Sequence, residues 1–186
     1  MKIAYIIFDG ITWLDLIGIY DPISRLKLMN FLPDLTWDIC SNTETVKDNF
    51  GLTVKPDKIR NTLDIYDVLI IPGGIGTRKL RRDEEFMKWI STAAPVKLKI
   101  SVCTGSLILG AAGFLKNVKA TTNYLEYETL RAYCREVIED KIVDEGNIIT
   151  AGAVTNSIDL GLYLCEKWAG REAQREIRQR MGYHEL

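Results

Sequence analysis

The chain has 186 residues, 47% of them hydrophobic and 26% charged, which is typical of one globular domain (1–186) with a complete core. The formal net charge of −1 excludes a bulk electrostatic attraction to nucleic acid or to a membrane surface. Asp9 interrupts the first apolar run, and no stretch offers the roughly 20 apolar residues of a membrane span, so we expect a cytoplasmic protein.

In the first part of the chain, short β-rich runs surround one long helical pattern. Residues 2–8 predict a strand, because their apolar residues occupy both alternating faces, and residues 35–41 predict the next strand. Residues 13–29 predict a helix that Pro22 should kink or divide. Residues 45–57 predict a hairpin-like excursion.

The rest of the chain continues the alternation of buried strands and helices. The predicted elements are strands at 66–74 and 97–103, helices at 83–94, 105–112 and 123–134, a hairpin at 141–152, and two final helices, 156–168 and 171–181, separated at Gly170. This order predicts an α/β fold with a mainly parallel central sheet and helices on both faces.

Three predicted strand ends carry unusual residues, at 73–74, 103–104 and 152–156. Ligands of open parallel sheets bind outside the carboxyl ends of the strands. We therefore expect the functional site where these three segments meet.

Cys103 stands between a β-branched run and a small-residue run, which is the form of a nucleophile elbow, a sharp strand-to-helix turn that exposes its middle side chain. We expect the following helix N-terminus to lower the pKa of this thiol. Amide N–H groups of Thr104 and of the Gly73-Gly74 turn are expected to stabilise developing negative charge. The alternative role, a buried structural cysteine, is favoured for the other three cysteines, Cys40, Cys134 and Cys165.

A thiol nucleophile also needs a proton carrier. The one histidine, His184, lies two residues before the end of the sequence, and we expect no catalytic role for it. Asp15 opens the first predicted helix at the same edge of the sheet, where a partly buried carboxyl with a raised pKa would serve as acid and base. A helix cap is the alternative role, and spacing alone favours neither. No metal-ligand spacing or complete phosphate-binding loop is present, so we expect neither metal nor cofactor.

Five segments, in order, carry a family resemblance: "LDLIGIYDP", "YDVLIIPGG", "SVCTGSLILGAAGFL", "KATTNYLEYE" and "ITAGAVTNSIDLGLYL". Over nearly its whole length the chain resembles the ThiJ/PfpI superfamily, which is class I glutamine amidotransferase-like. The resemblance implies a flavodoxin-like three-layer sandwich, a cysteine nucleophile and a homodimer. Apolar surface around Trp13 and Ile19 is the expected contact between the two copies.

Within the superfamily, Asp15 and the Cys103-Thr104 pair resemble the isonitrile hydratase branch, whose members convert isonitriles to N-formamides. The resemblance implies a lyase that acts on a small molecule, in which the Cys103 thiolate attacks the terminal carbon and Asp15 is the acid and base. The implied oxyanion- and substrate-binding residues are Gly73, Gly74, Thr104, Val154 and Thr155.

Two segments depart from the family pattern. Asn123 stands where many relatives have histidine, and Asn156-Ser157 replaces a familiar dipeptide, which leaves the substrate open. Two alternatives to the hydratase therefore stand: another thiol enzyme acting on a carbonyl compound, such as a glyoxalase, and a non-catalytic redox sensor or ligand-binding protein.

Overall fold

The computed structural model describes residues 1–183, so the prediction about His184 lies outside the described residues. The strands are β1 Lys2–Ile6, β2 Thr36–Ser41, β3 Val46–Lys47, β4 Thr53–Val54, β5 Lys58–Ile59, β6 Val68–Ile71, β7 Leu98–Val102, β8 Lys119–Ala120, β9 Glu136–Val137, β10 Ile142–Asp144 and β11 Ile148–Ala151. The helices are α1 Trp13–Leu28, α2 Thr77–Leu80, α3 Glu84–Ser91, α4 Gly105–Ala111, α5 Tyr127–Arg131 and α6 Asn156–Arg180, and Tyr124–Glu126 forms a 3-10 turn.

Seven strands form the central sheet in the order β10-β11-β7-β6-β1-β2-β5. All neighbours are parallel except β10 and β11, which form the predicted hairpin. Every residue of β6 is buried, as are the last four of β1, because helices cover both faces of the sheet. The predicted flavodoxin-like α/β fold is confirmed.

The smaller elements partly differ from the predictions. The hairpin near residue 50 forms as β3 and β4, and the Asp48 carboxylate closes its turn by accepting three backbone N–H groups. The helix predicted at 123–134 is instead a 3-10 turn followed by the short α5, because the Asn123 side chain caps the turn through Leu125 N–H. The last helix breaks at Gly170, as predicted, where φ is +88°.

Pro22 does not divide α1, which continues to Leu28. A proline inside a helix leaves the carbonyl four residues earlier without its usual donor, here that of Gly18. Both the Pro22 ring and the Gly18 carbonyl face Gly161 of α6. The proline is therefore accommodated at a helix–helix contact.

The contact between α1 and α6 depends on the absence of a side chain at Gly18. A Cβ at this position would lie 2.0 Å from Ser157 Oγ and 2.7 Å from Ser157 Cβ. The Ser157 hydroxyl in turn donates to the Leu14 carbonyl of α1 and to the Val154 carbonyl. This close approach fixes the position of α1, the helix that carries Asp15.

The apolar surface expected at Trp13 and Ile19 lies elsewhere on the same helix. Ile19 is fully buried and Trp13 half-buried, whereas Leu14 and Ile17 are 45% and 49% exposed. The prediction chose the wrong face of α1 because Ile19 packs into the core. In the described part of the chain, no helix is both long and apolar enough to span a membrane.

We predict that Gly18→Ala lowers the free energy of unfolding by about 1–3 kcal/mol, since the added methyl overlaps Ser157. Chemical denaturation measures the change. The double variant Gly18→Ala/Ser157→Gly removes the overlapping atoms and should recover part of the loss. A single variant as stable as the parent would show that α1 and α6 are not tightly packed at this point.

Candidate active site

Cys103 lies immediately after β7 in a backbone conformation that L-residues rarely adopt, with φ of +53°. This left-handed conformation costs about 1–2 kcal/mol, so surrounding contacts must hold it. The Cys103 N–H donates to the Gly152 carbonyl at 2.8 Å, and its carbonyl accepts the Thr122 hydroxyl at 2.9 Å. The turn therefore has the geometry of a nucleophile elbow and is joined to the loop after β11.

Asp15 and Cys103 come together at Gly73. A Cβ built on Gly73 would lie 2.7 Å from Asp15 Oδ2, from Cys103 Cβ and from the Thr104 nitrogen alike. A glycine is therefore required for the three segments to meet. The strand ends at 73, 103 and 152 converge as the sequence predicts.

The Asp15 carboxyl is completely buried and has no cationic partner among its described contacts. Its Oδ2 accepts Gly73 N–H at 2.9 Å, and Oδ1 has no partner of acceptable hydrogen-bond geometry among the described residues. Burial raises the pKa of this carboxyl to about 7, against the lowering effects of the Gly73 N–H and the Cys103 thiol. The helix-cap alternative is wrong, because the side chain binds the loop after β6 and not its own helix.

Cys103 is buried, with 4% of its surface exposed. Burial first, and the charge of Asp15 second, raise the pKa of the thiol to about 11, while Asn123 and the Thr104 N–H act in the opposite direction. The expected lowering of this pKa is therefore wrong. Helix α4 has only seven residues, and burial and the adjacent carboxylate are the largest effects on the thiol.

The thiol and the carboxyl together hold one dissociable proton between about pH 7 and pH 11. The carboxyl has the lower pKa of the two, so the thiol holds its proton more strongly. Asp15 is then the base that faces the thiol. Among residues 1–183, no three histidine, cysteine, aspartate or glutamate side chains lie together as metal ligands.

The Gly73 and Gly74 amides, expected to stabilise developing negative charge, are bonded within the protein, whereas the Thr104 N–H acts on the Cys103 thiol. Gly73 N–H is bonded to Asp15, and Gly74 N–H donates to the Thr104 hydroxyl at 3.0 Å. That hydroxyl also contacts the Gly74 carbonyl and the Thr77 hydroxyl, at 3.1 and 2.9 Å. The Thr104 side chain thus fastens the glycine turn to the elbow, and neither glycine amide is free to bind an anion.

Asn123 is a site residue that the sequence did not assign. Its Nδ2 donates to Cys103 Sγ at 3.5 Å, and its Oδ1 accepts Leu125 N–H at 3.0 Å. The sequence offered one signal for this role, because Asn123 departs from the family pattern at this position. It marked a departure from the family but not a contact with the thiol.

Val154 is half-buried and Thr155 exposed, and among the described residues no hydrogen bond joins either side chain to Cys103 or Asp15. Their role in substrate binding stays a prediction. Asn156 lines a polar cavity of about 310 Å³ beside the elbow, together with Thr122, Tyr127 and Gly152. The other departure, Ser157, is explained by its contact with α1.

Fold and site together define a flavodoxin-like α/β protein with a cysteine at a nucleophile elbow and a carboxyl against it. A model of the DJ-1/PfpI family matches residues 1–167, and the chain belongs to that family.

Relatives and solved structures agree with this assignment. The isonitrile hydratase of Pseudomonas putida is 32% identical over 184 residues, which cover 98% of this chain and 78% of that protein. The crystal structure of a ThiJ/PfpI family protein from Pseudomonas syringae has a TM-score of 0.89 at 28% identity, covering 100% of this chain and 76% of that one. The fold is also that of Drosophila melanogaster DJ-1beta, with a TM-score of 0.83 at 18% identity over 99% and 98% of the two chains.

We predict that Asp15→Asn stabilises the protein at pH 8. A carboxyl whose pKa is raised on folding contributes its stability below about pH 4, and that contribution is lost as the pH rises through about 7. The neutral amide avoids this loss, so the gain should be on the order of 2–4 kcal/mol at pH 8 and should vanish near pH 4. Denaturation curves at several pH values measure it.

Asp21→Asn is the matched control, because Asp21 lies on the same helix, is part-exposed and pairs with Arg25 at 2.8 Å. That variant should gain nothing at pH 8. If Asp15→Asn were the less stable protein at pH 8, burial of an uncompensated charge would not be the feature that governs Asp15.

Proposed function

We propose that this protein hydrates an isonitrile to an N-formamide through a covalent intermediate on Cys103. The observation that carries the proposal is the buried contact between the Asp15 carboxyl and the Cys103 thiol, which joins a nucleophile to a base able to take up and return one proton. The similarity to the Pseudomonas putida isonitrile hydratase supports the choice of substrate class.

In the first step, the carboxylate of Asp15 accepts the thiol proton as Cys103 Sγ bonds to the terminal carbon of R–N≡C. The carbon then takes this proton from Asp15, which gives the thioimidate R–N=CH–S–Cys. The transfer leaves Asp15 as a carboxylate again, so the pair needs no proton from solvent. Covalent catalysis of this kind divides one difficult hydration into two easier additions.

In the second step, Asp15 accepts a proton from a water molecule as the water oxygen bonds to the thioimidate carbon, and it returns that proton to the nitrogen. The tetrahedral adduct R–NH–CH(OH)–S–Cys then collapses. The C–S bond breaks, Asp15 carries the hydroxyl proton to sulfur, and R–NH–CHO leaves. The Gly73 and Gly74 amides are already bonded within the protein. In this scheme the negative charge that develops on nitrogen and then on sulfur is therefore neutralised by proton transfer from Asp15.

We also propose that the protein is a cytoplasmic homodimer, in keeping with its family resemblance. The half-exposed Leu14 and Ile17 of α1 supply the apolar surface. Light scattering at micromolar concentration should give twice the monomer mass of 21.1 kDa. A monomer-sized species alone would refute the assembly.

The experiment that tests the function incubates the pure protein in parallel with a simple alkyl isonitrile and with methylglyoxal. We expect formamide production that is abolished in Cys103→Ser and unchanged in Cys134→Ser, since Cys134 is half-buried and its thiol contacts the Leu130 carbonyl. Asp15→Asn should turn over at least about a hundredfold more slowly with the fold intact. Asp15→Glu, which displaces the carboxyl by one methylene, should also be poor.

The same assay across pH identifies the base. Because the carboxylate form accepts the thiol proton, kcat/KM should fall below about pH 7, the pKa to which burial raises Asp15. The fall in kcat/KM below pH 7 should be absent from the residual activity of Asp15→Asn. Turnover of methylglyoxal alone would favour the glyoxalase-like alternative, and turnover of neither compound would favour a sensor or a ligand-binding protein.

A further inference from the structure

We propose that Asn123 belongs to the reacting centre, where its Nδ2 amide positions the Cys103 sulfur and stabilises the thiolate that forms on attack, while taking up no proton itself. The hydrogen bond between Asn123 Nδ2 and Cys103 Sγ carries this assignment. Its part in isonitrile hydration rests on the proposed function, whereas its action on the thiol does not.

The orientation of the Asn123 amide is determined by the backbone. Leu125 N–H is a donor, so the side-chain atom that faces it at 3.0 Å must be the oxygen. The nitrogen is thereby directed toward sulfur. One side chain thus serves two purposes, since Oδ1 caps the 3-10 turn and Nδ2 donates to the nucleophile.

An ion pair holds the turn that presents Asn123. Glu126, the last residue of the 3-10 turn, lies 2.7 Å from Arg78 of α2, and its side chain is largely buried. Helix α2 follows directly on the glycine loop that is fastened to Thr104. The loop that binds Asp15 and the turn that carries Asn123 are therefore tied together beside the thiol.

The surroundings of the sulfur explain why a donor matters at this point. Asp15, on α1, is the charged group that acts on Cys103, and its negative charge opposes thiolate formation. Asn123 and the Thr104 N–H favour the thiolate, and of these two only Asn123 acts through a side chain. Removal of the amide leaves the thiolate beside a carboxylate with one backbone donor.

The neutrality of the amide has a further consequence. An imidazole in the same place would itself compete for the thiol proton, because its pKa lies near neutral pH. An amide donates a hydrogen bond without titrating. Within residues 1–183, Asp15 therefore remains the one group beside the sulfur that exchanges a proton with it.

The test measures the rate of Cys103 alkylation by iodoacetamide from pH 7 to pH 11, with peptide mass mapping so that the other cysteines do not contribute. Asn123→Ser retains an oxygen able to cap the turn but lacks the amide donor. We expect its Cys103 to react about tenfold more slowly at pH 8 and its thiol pKa to rise by about one unit, as expected for a lost hydrogen bond to a charged group.

Two further variants keep the test decisive. Asn123→Asp retains the shape and the capping oxygen but adds a negative charge, so it should slow alkylation at least as much as Asn123→Ser. Asn147→Ser makes the same chemical change in the exposed β10–β11 turn and should alter neither rate nor pKa. Melting temperatures of all variants report on folding.

Alkylation within twofold of the parent in folded Asn123→Ser and Asn123→Asp overturns the assignment. The measurement needs no isonitrile, so its outcome is independent of whether the proposed hydration occurs. Where hydration does occur, the Asn123→Ser change should lower kcat more than it alters KM, since the donor acts on charge that develops during the reaction.

Discussion

The carboxyl of Asp15, buried against a thiol and without a countercharge, is the interaction on which the rest of this site depends. Folding removes water from a group that prefers to be charged, and in the described part of the chain only Gly73 N–H donates a hydrogen bond of full geometry in its place. The part of the desolvation cost that this hydrogen bond does not offset raises the pKa of the Asp15 carboxyl to about 7. A carboxyl in that range takes up and releases a proton readily at neutral pH, so the cost of burial and the chemical capability have the same origin.

Several packing features hold this unfavourable arrangement in place. Gly18 lets α1 approach α6 closely, which sets where Asp15 begins its helix relative to the sheet. Gly73 leaves room for the carboxyl and the thiol to meet. Cys103 holds its left-handed backbone conformation where the ends of β7 and β11 lie side by side. Strain of this kind persists only where the surroundings determine it. The site is consequently built on the core of the sheet and not on a separate loop.

The sequence predicts these features where the chain offers a local signal. Alternating strands and helices, a Cys-Thr-Gly junction and an aspartate early in α1 identify the fold, the elbow and the partner carboxyl. The sequence does not show how opposing effects on the pKa of the Cys103 thiol add up. The helix N-terminus predicted a lowered pKa for Cys103, whereas in the fold burial and Asp15 raise the pKa of this thiol. The roles of Thr104 and Asn123 were likewise hidden, because their partners lie about 20–30 residues away.

The proposed hydration depends on the same balance of effects at the Cys103 sulfur. A thiol with a pKa near 11 is a weak acid, but it need not ionise before it reacts when a carboxylate is in contact with it. Transfer of the proton as the sulfur attacks avoids a free thiolate beside a carboxylate, the state that the buried charge of Asp15 disfavours most. The partial negative charge that builds up on sulfur while the proton leaves lies where the Asn123 amide and the Thr104 N–H face it. In the proposed isonitrile hydration, a neutral donor stabilises that charge without taking the proton that the carbon is to receive. We infer that one proton, one carboxyl and one fixed amide suffice for the thiol addition, and that a second titrating group would divide the proton between two carriers.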